Sequence, residues 1–373
     1  MARSGDATNL WMLPFDSARL TVTGRARPIT SGTDSVLFAK VRGTSVVFNA
    51  GEYSSNVWTL PVRAEQARVS GPLRQMTART GLVMRPEMSP DGHLVAYSYS
   101  LHTAFRHFLS EMTIVVRDLD SGQDRVIARE DLGAWAPHFF DDGRHVVFGM
   151  LSEKSDAAYV TSVTGSDLHK ISDDCPGPSG SPSGRWLLCR PRGDERVTGL
   201  EISSGQQREI LSDGKSTMWE TRLSRDEHWV TWVRNDRASG VSQIFVAPFR
   251  GLSKIPTWRE WIPLTEAEYR SGHGSWGRPW AGHPAWSPGG NVIYYLSDRD
   301  GFRCLWAQRL QVKTKQPEGG PIAIHHFHGL QRLDVVSEAV QNLSIGPDKL
   351  AFLLLESKTT IWMADLDQSV AHR

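Results

Sequence analysis

A tight turn followed by a short apolar run recurs along this 373-residue chain, and that repeat limits its possible folds more than any other feature. Ser89-Pro90-Asp91-Gly92 precedes Leu94-Val95-Ala96-Tyr97, and Ser287-Pro288-Gly289-Gly290 precedes Val292-Ile293-Tyr294-Tyr295. Seven such runs end at Phe48, Tyr97, Phe148, Cys189, Trp232, Tyr295 and Phe352, spaced 41 to 63 residues apart. Self-similarity at such a period marks a repeat architecture. Pro presets φ for the first turn position, and Gly or Asp tolerates the next. The copy at Ser224-Arg225-Asp226-Glu227 has no Gly and is expected to be less regular.

Each run is four or five residues rich in Val, Ile, Tyr and Trp, which suits a buried strand. A third strand with alternation follows, as in Asn56-Val57-Trp58-Thr59-Leu60 and Cys304-Leu305-Trp306-Ala307, and then a shorter fourth. Four antiparallel strands per unit, repeated radially, is the pattern of a β-propeller blade. The expectation is an all-β chain forming a single β-propeller over 1–373. Seven blades are counted, at about 31–80, 81–132, 133–175, 176–216, 217–270, 271–330 and 331–366, with six or eight as alternatives. Residues 1–30 are expected to supply closing strands, leaving no open sheet edge.

Lys plus Arg number 42 and Asp plus Glu 41, so there is no basic footprint for nucleic acid. No stretch approaches the ~18 apolar residues of a membrane helix. Met1 to Leu13 lacks an apolar signal core, which points to the cytoplasm; an extracytoplasmic location applies if the chain is part of a longer, membrane-anchored protein. Cys175, Cys189 and Cys304 form neither a disulfide framework nor a zinc spacing, and are expected to be reduced. The count of 14 Trp fits many strands packed face to face.

The Ser-Pro-Asp-Gly turn with its apolar strand resembles the WD-like propeller repeats of the TolB family. Pro284-Ala285-Trp286-Ser287-Pro288, Ser297-Asp298-Arg299-Asp300-Gly301 and Cys304-Leu305-Trp306-Ala307-Gln308-Arg309-Leu310 look like the C-terminal propeller of bacterial serine/threonine kinases and winged-helix regulators. The resemblance implies a soluble sensor or protein-docking module and no shared catalytic residues. TolB itself has six blades.

Several constellations carry possible chemistry. Prolyl oligopeptidase-type propellers serve a nucleophile elbow, Gly-x-Ser-x-Gly, and none is found. In His325-His326-Phe327-His328, His326 and His328 share a face, but no Asp, Glu or Cys lies within the segment to complete a site. The expectation there is a solvated edge strand, with neither metal nor cofactor. The loop Ser297 to Gly301 reads as a tight loop whose Asp side chains cap amides and pair with Arg299. Arg270 to Trp286 is a Gly-, His- and Trp-rich insertion, and Trp276 and Trp280 are either recognition residues or folded back over a neighbouring blade.

The inner strands share a register. Four residues before the turn Ser stand Arg85, Ala136, Gly177, Glu220 and His283; two before it stand Glu87, His138, Ser179, Arg222 and Ala285. In a propeller these gather at the channel, so Arg85, Glu87, His138, Glu220, Arg222 and His283 are candidate ligand- or partner-binding residues. The competing reading pairs Arg85 with Glu87 and Glu220 with Arg222. The functional expectation is a monomeric, non-catalytic scaffold or sensor that binds a protein or peptide. The alternative is a propeller lyase or hydrolase acting on a saccharide or peptide, with His138, His283 and Glu220 as acid and base.

Overall fold

The turns form through one hydroxyl. In a computed structural model of the chain, which describes residues 2–4, 7–31, 35–101, 112–128, 133–151, 156–175, 177–190, 196–267, 280–328 and 342–366, the turn serines are buried. Ser89 Oγ donates to Asp91 Oδ1 at 2.5 Å and accepts from the Leu94 amide at 2.8 Å. Ser224 repeats this with Asp226 and the Trp229 amide at 2.5 and 3.0 Å. In the Ser287 turn, Glu65 replaces the missing Asp: it accepts from Ser287 Oγ at 2.9 Å and from the Gly289 amide at 2.7 Å. The Glu227 turn is as regular as the others, contrary to expectation. Glu227 adopts the left-handed φ of 56° that Gly92, Gly143, Gly184 and Gly290 adopt elsewhere. Its carboxylate accepts from the Ser183 amide of the preceding sheet at 2.7 Å, which offsets the strain.

The runs that follow become strands, and no α-helix occurs among the described residues. Four antiparallel four-stranded sheets stand alone, with their strands in chain order. Their first and last strands are Ala134–Phe139 and His169–Ser172, Ser179–Gly180 and Gln207–Leu211, Ser216–Leu223 and Ile262–Pro263, and Ala281–Trp286 and Pro317–His325. A ten-stranded sheet holds most of the rest. One half of it is a meander from Leu82–Met88 to Asp124–Ala128. The other half orders Ser344–Ile345, Lys349–Asp365, Ser45–Arg63 and Arg74–Gln75. A single parallel pairing, Leu82 opposite Ser55, joins the halves.

This arrangement departs from the expected division of the termini. The segments 31–80 and 331–366, read as separate blades, share one sheet. Lys349–Asp365 runs unbroken against Ser45–Arg63, with Phe352 opposite Trp58 and Trp362 opposite Phe48. Neither strand carries a Pro-Asp-Gly turn at its middle, so nothing folds the chain back there. Strands within 1–30 pair only with one another among the described residues, as Trp11 does with Pro28, and Leu10 and Ile29 pack beneath Val36 and Val46. The strand that meets the C-terminal segment therefore comes from 45–63, not from 1–30.

Core clusters lie between successive sheets. Trp186, Leu188 and Ile210 pack on Met218, Val230 and Trp232; Val233, Ile244 and Val246 pack on Ile293, Tyr295 and Trp306. Tyr294 and Leu305 pack on Leu60 and Phe352, while Val57 and Leu353 pack on Val83 and Tyr97. Both faces of each central strand are covered, so the runs read as continuously apolar. Cys175 and Cys189, expected to be reduced, form a disulfide with Cα atoms 4.9 Å apart. Cys175 lies in the connection before Ser179–Gly180 and Cys189 ends the next strand, so the sheet's own first hairpin brings them together. Cys304 is the free, buried thiol.

Candidate functional site: the paired inner strands

The register singled out in the sequence is a backbone device. Arg85, Ala136, Gly177, Glu220 and His283 all have left-handed φ, between 50° and 57°. In four of the five strands the ladder slips there, two residues opposing one: between Met84 and Glu87, Trp135 and His138, Trp219 and Arg222, and Gly282 and Ala285. Such a bulge re-aims the side chains around it. Proline follows at positions 86, 137, 178 and 284, where the preceding residue is normally extended. That recurrent Pro was a visible signal of the distortion.

Neighbouring sheets satisfy the displaced amides. The Ala136 amide donates to Ser98 Oγ at 3.1 Å, and the His283 amide donates to Glu220 Oε2 at 2.7 Å. Gly177 belongs at such a site because a Cβ there would lie 3.0 Å from the Trp135 ring.

Two charged layers result. In the first, Arg222 donates through Nη1 and Nη2 to the two carboxylate oxygens of Glu87, at 3.1 and 3.0 Å. His138 Nδ1 stands 3.8 Å from Glu87 Oε2. Asn342 completes this layer, accepting from Arg222 at 2.8 Å and donating to Glu87 at 3.2 Å and to the Pro86 carbonyl at 3.0 Å. In the second layer, Glu220 lies 4.0 Å from Arg85 and 2.6 Å from His283 Nδ1. The same-strand pairs of the competing reading are thus replaced by pairs between strands. Arg85-Pro86-Glu87 and Glu220-Thr221-Arg222 present opposite polarity to each other, so each charge finds its partner on the other strand.

Burial alone would raise the Glu87 carboxyl, but Arg222 and His138 override it and hold it down to about 2. Burial likewise opposes ionisation of Glu220, yet His283 and Arg85 keep its pKa below the usual carboxylate value. Burial pushes His138 and Arg85 below their ordinary values.

A cavity of about 130 Å³ lies against the first layer, lined by Glu87, His138, Ser179, Arg222 and Ala285 and rimmed by turn residues Pro90, Pro182 and Pro288. A smaller one lies against the second layer, lined by Arg85, Glu220, His283 and Trp280. The six charged and His candidates thus divide between the two layers, Glu87, His138 and Arg222 beside the first cavity and Arg85, Glu220 and His283 beside the second. Trp280 folds back: Arg303 stacks on its ring at 4.1 Å and His283 sits 5.8 Å away. Trp276 lies outside the described residues. Asn342 went unnoticed in the sequence; it falls four residues before Gly346, the start of the last turn, so the same register would have found it.

The loop after Val292–Ser297 matches its expected structural role in part. Asp298 Oδ1 accepts from the Trp280 amide at 3.0 Å, but Arg299 stands 3.7 Å from Glu266 and stacks on Trp306 rather than pairing with an Asp.

No family model and no curated protein matches the chain. Solved structures do resemble it. TolB from Acinetobacter baumannii is 16% identical with a TM-score of 0.51, the match covering 72% of this chain and 64% of that one. A putative TolB from Agrobacterium tumefaciens is 15% identical with a TM-score of 0.59, over 82% of this chain and 99% of that one. A nidogen/laminin complex structure is 11% identical with a TM-score of 0.50, over 72% and 93%.

Proposed function

We propose that this chain, a β-propeller of TolB-like fold, is a non-catalytic scaffold that docks a protein or peptide over the turn-rimmed end of its inner strands. We also read it as a closed ring of six blades, with the sheet shared by 45–75 and 344–365 as the closing one. The observation that carries the functional reading is the mutual pairing of the inner charges. Glu87 is engaged by Arg222, Asn342 and His138, and Glu220 by His283 and Arg85. A general base needs an accessible lone pair and a pKa near the working pH. Glu87 is held far below that range, and His283 is 1% exposed.

The cavity of about 130 Å³ is small beside the roughly 300–1,000 Å³ of small-molecule sites. It suits a single side chain of a partner, admitted between Pro90, Pro182 and Pro288, with Arg225 and Asp141 at the rim. Kinase- or winged-helix-linked signalling, a sensor role and the monomeric state belong to this reading as proposals. The same holds for the compartment: no helix among the described residues is long and apolar enough to cross a membrane.

The test is quantitative affinity capture with three proteins: wild type, a rim variant Arg225→Glu, and a distal control Trp258→Ser. Partners retained by wild type and control but lost by the rim variant are expected. Equal retention by all three would sink the docking site. Turnover of an oligosaccharide or peptide that is abolished by Glu220→Gln would instead establish the enzymatic alternative.

A further inference from the structure

The two histidines at the end of the outer strand Pro317–His325 find their missing partners elsewhere in the chain. Asp300, in the loop after Val292–Ser297, and Cys304, the first residue of Cys304–Leu310, lie beside His326 and His328. One ligand atom from each of the four lies within 4.8 Å of every other. His326 Nδ1 is 2.7 Å and His328 Nε2 3.1 Å from the same oxygen, Asp300 Oδ2. His325 is turned away, against the Phe327 ring at 4.6 Å.

We propose that Asp300, Cys304, His326 and His328 form a tetrahedral site for a divalent transition-metal cation, zinc above all. One sulfur, two imidazole nitrogens and one carboxylate oxygen make a borderline-soft donor set that suits Zn²⁺ and disfavours Ca²⁺ or Mg²⁺. Metal–ligand distances of about 2.0–2.3 Å place tetrahedral donors roughly 3.3–3.6 Å apart. The two His–Asp300 contacts, 2.7 and 3.1 Å, sit just inside that spacing and open slightly to reach it, while the widest separation, within 4.8 Å, closes by about an ångström. Both imidazoles aim a ring nitrogen at the same carboxylate oxygen, so the donors converge on one point.

The surroundings are those of a ligand shell. The Phe327 amide donates to Cys304 Sγ at 3.4 Å, a contact that stabilises a thiolate. Phe302 covers His328 with ring centroids 4.4 Å apart, and Trp306 meets His326 edge-on at 5.6 Å. Four protein donors leave no open position, so the site is structural. It ties the outer strand of its sheet to the loop and third strand. The other two cysteines are joined to each other, which leaves Cys304 available as a ligand.

The test uses the full, tag-free chain stripped of metal and titrated with Co²⁺, then with Zn²⁺. Expected are binding of one Co²⁺ per chain, tetrahedral d–d bands and a thiolate-to-cobalt charge-transfer band. Zn²⁺ should displace the cobalt and raise the Tm, because a ligand bound only by the folded state stabilises it. The Cys304→Ser variant should lose the charge-transfer band, and His326→Ala/His328→Ala should lose stoichiometric binding and the Zn²⁺-dependent rise in Tm. The histidine side chains are 45% exposed, so the double variant is expected to fold, which its far-UV circular dichroism checks. Absence of stoichiometric binding to wild type, or cobalt spectra and zinc response unchanged in the double variant, would overturn the proposal.

Discussion

Arg222 and Glu87, 135 residues apart in sequence, form a two-point ion pair at 3.1 and 3.0 Å between the inner strands of two sheets. Their side chains are 14% and 13% exposed, so the pair is shielded from solvent. Planar guanidinium–carboxylate matching gives direction as well as energy. The companion pair Arg85–Glu220 is set in opposite polarity, so shifting either strand along the other would face like charges.

Removing one member of such a pair leaves an uncompensated buried charge. Glu87→Ala should therefore cost about 3–5 kcal/mol, whereas Glu87→Leu/Arg222→Met should recover much of that loss. Urea unfolding of the three proteins, compared by midpoint at constant m, reads the difference. A single variant within 1 kcal/mol of wild type, roughly the worth of an exposed pair, would contradict the buried role.

The Glu87 pair also sets an acid limit. Its folded pKa, about 2, lies below the value near 4.5 of an unconstrained carboxyl. The unfolded chain therefore takes up a proton first as pH falls. The contribution is complete above about pH 4.5 and is lost as pH drops toward 2. Unfolding free energies for wild type and Glu87→Gln should converge over that interval. A constant gap from neutral pH down to pH 2 would refute the assignment.

The disulfide between Cys175 and Cys189 closes a loop of 14 residues, and loops of that size carry about 3 kcal/mol in the chain-entropy account. Cys175→Ser/Cys189→Ser should lower stability by about that amount. In the denatured, unreduced protein one thiol per chain should react with maleimide, rising to three after reduction. Three reactive thiols in protein isolated from its own cell under thiol-trapping conditions would show the pair to be reduced there. One would place the chain in an oxidising compartment rather than the cytoplasm.

Gly177 combines a φ of 57° with a neighbouring Trp135 ring 3.0 Å from where a Cβ would sit. Gly177→Ala should cost roughly 1–2 kcal/mol through the left-handed backbone alone, and more if the ring must move. The equivalent position in the preceding sheet, Ala136, already carries its Cβ, so Ala136→Gly makes a control in which backbone relief opposes a lost methyl. Thermal unfolding of both proteins checks the contrast: a Gly177→Ala midpoint equal to wild type would show that the bulge is unstrained.

Local chemistry was legible in the sequence because it operates over five or six residues. The turn serine, its carboxylate two positions on and the strand that follows are one hydrogen-bonded unit, so Ser89 to Tyr97 declares itself without the rest of the chain. The inner register was legible too, because bulged strands carry Arg85, Glu87, Glu220 and Arg222 at equal offsets from their turns. What tertiary structure decided was partnership. Arg85 reaches Glu220 rather than Glu87, Phe48 meets Trp362 in one sheet, Cys175 meets Cys189, and Asp300 and Cys304 meet His326 and His328. Sequence offsets fix which face a strand residue occupies, because side chains alternate along it. They carry no information on which sheet that face meets, since that follows from how the sheets pack against one another.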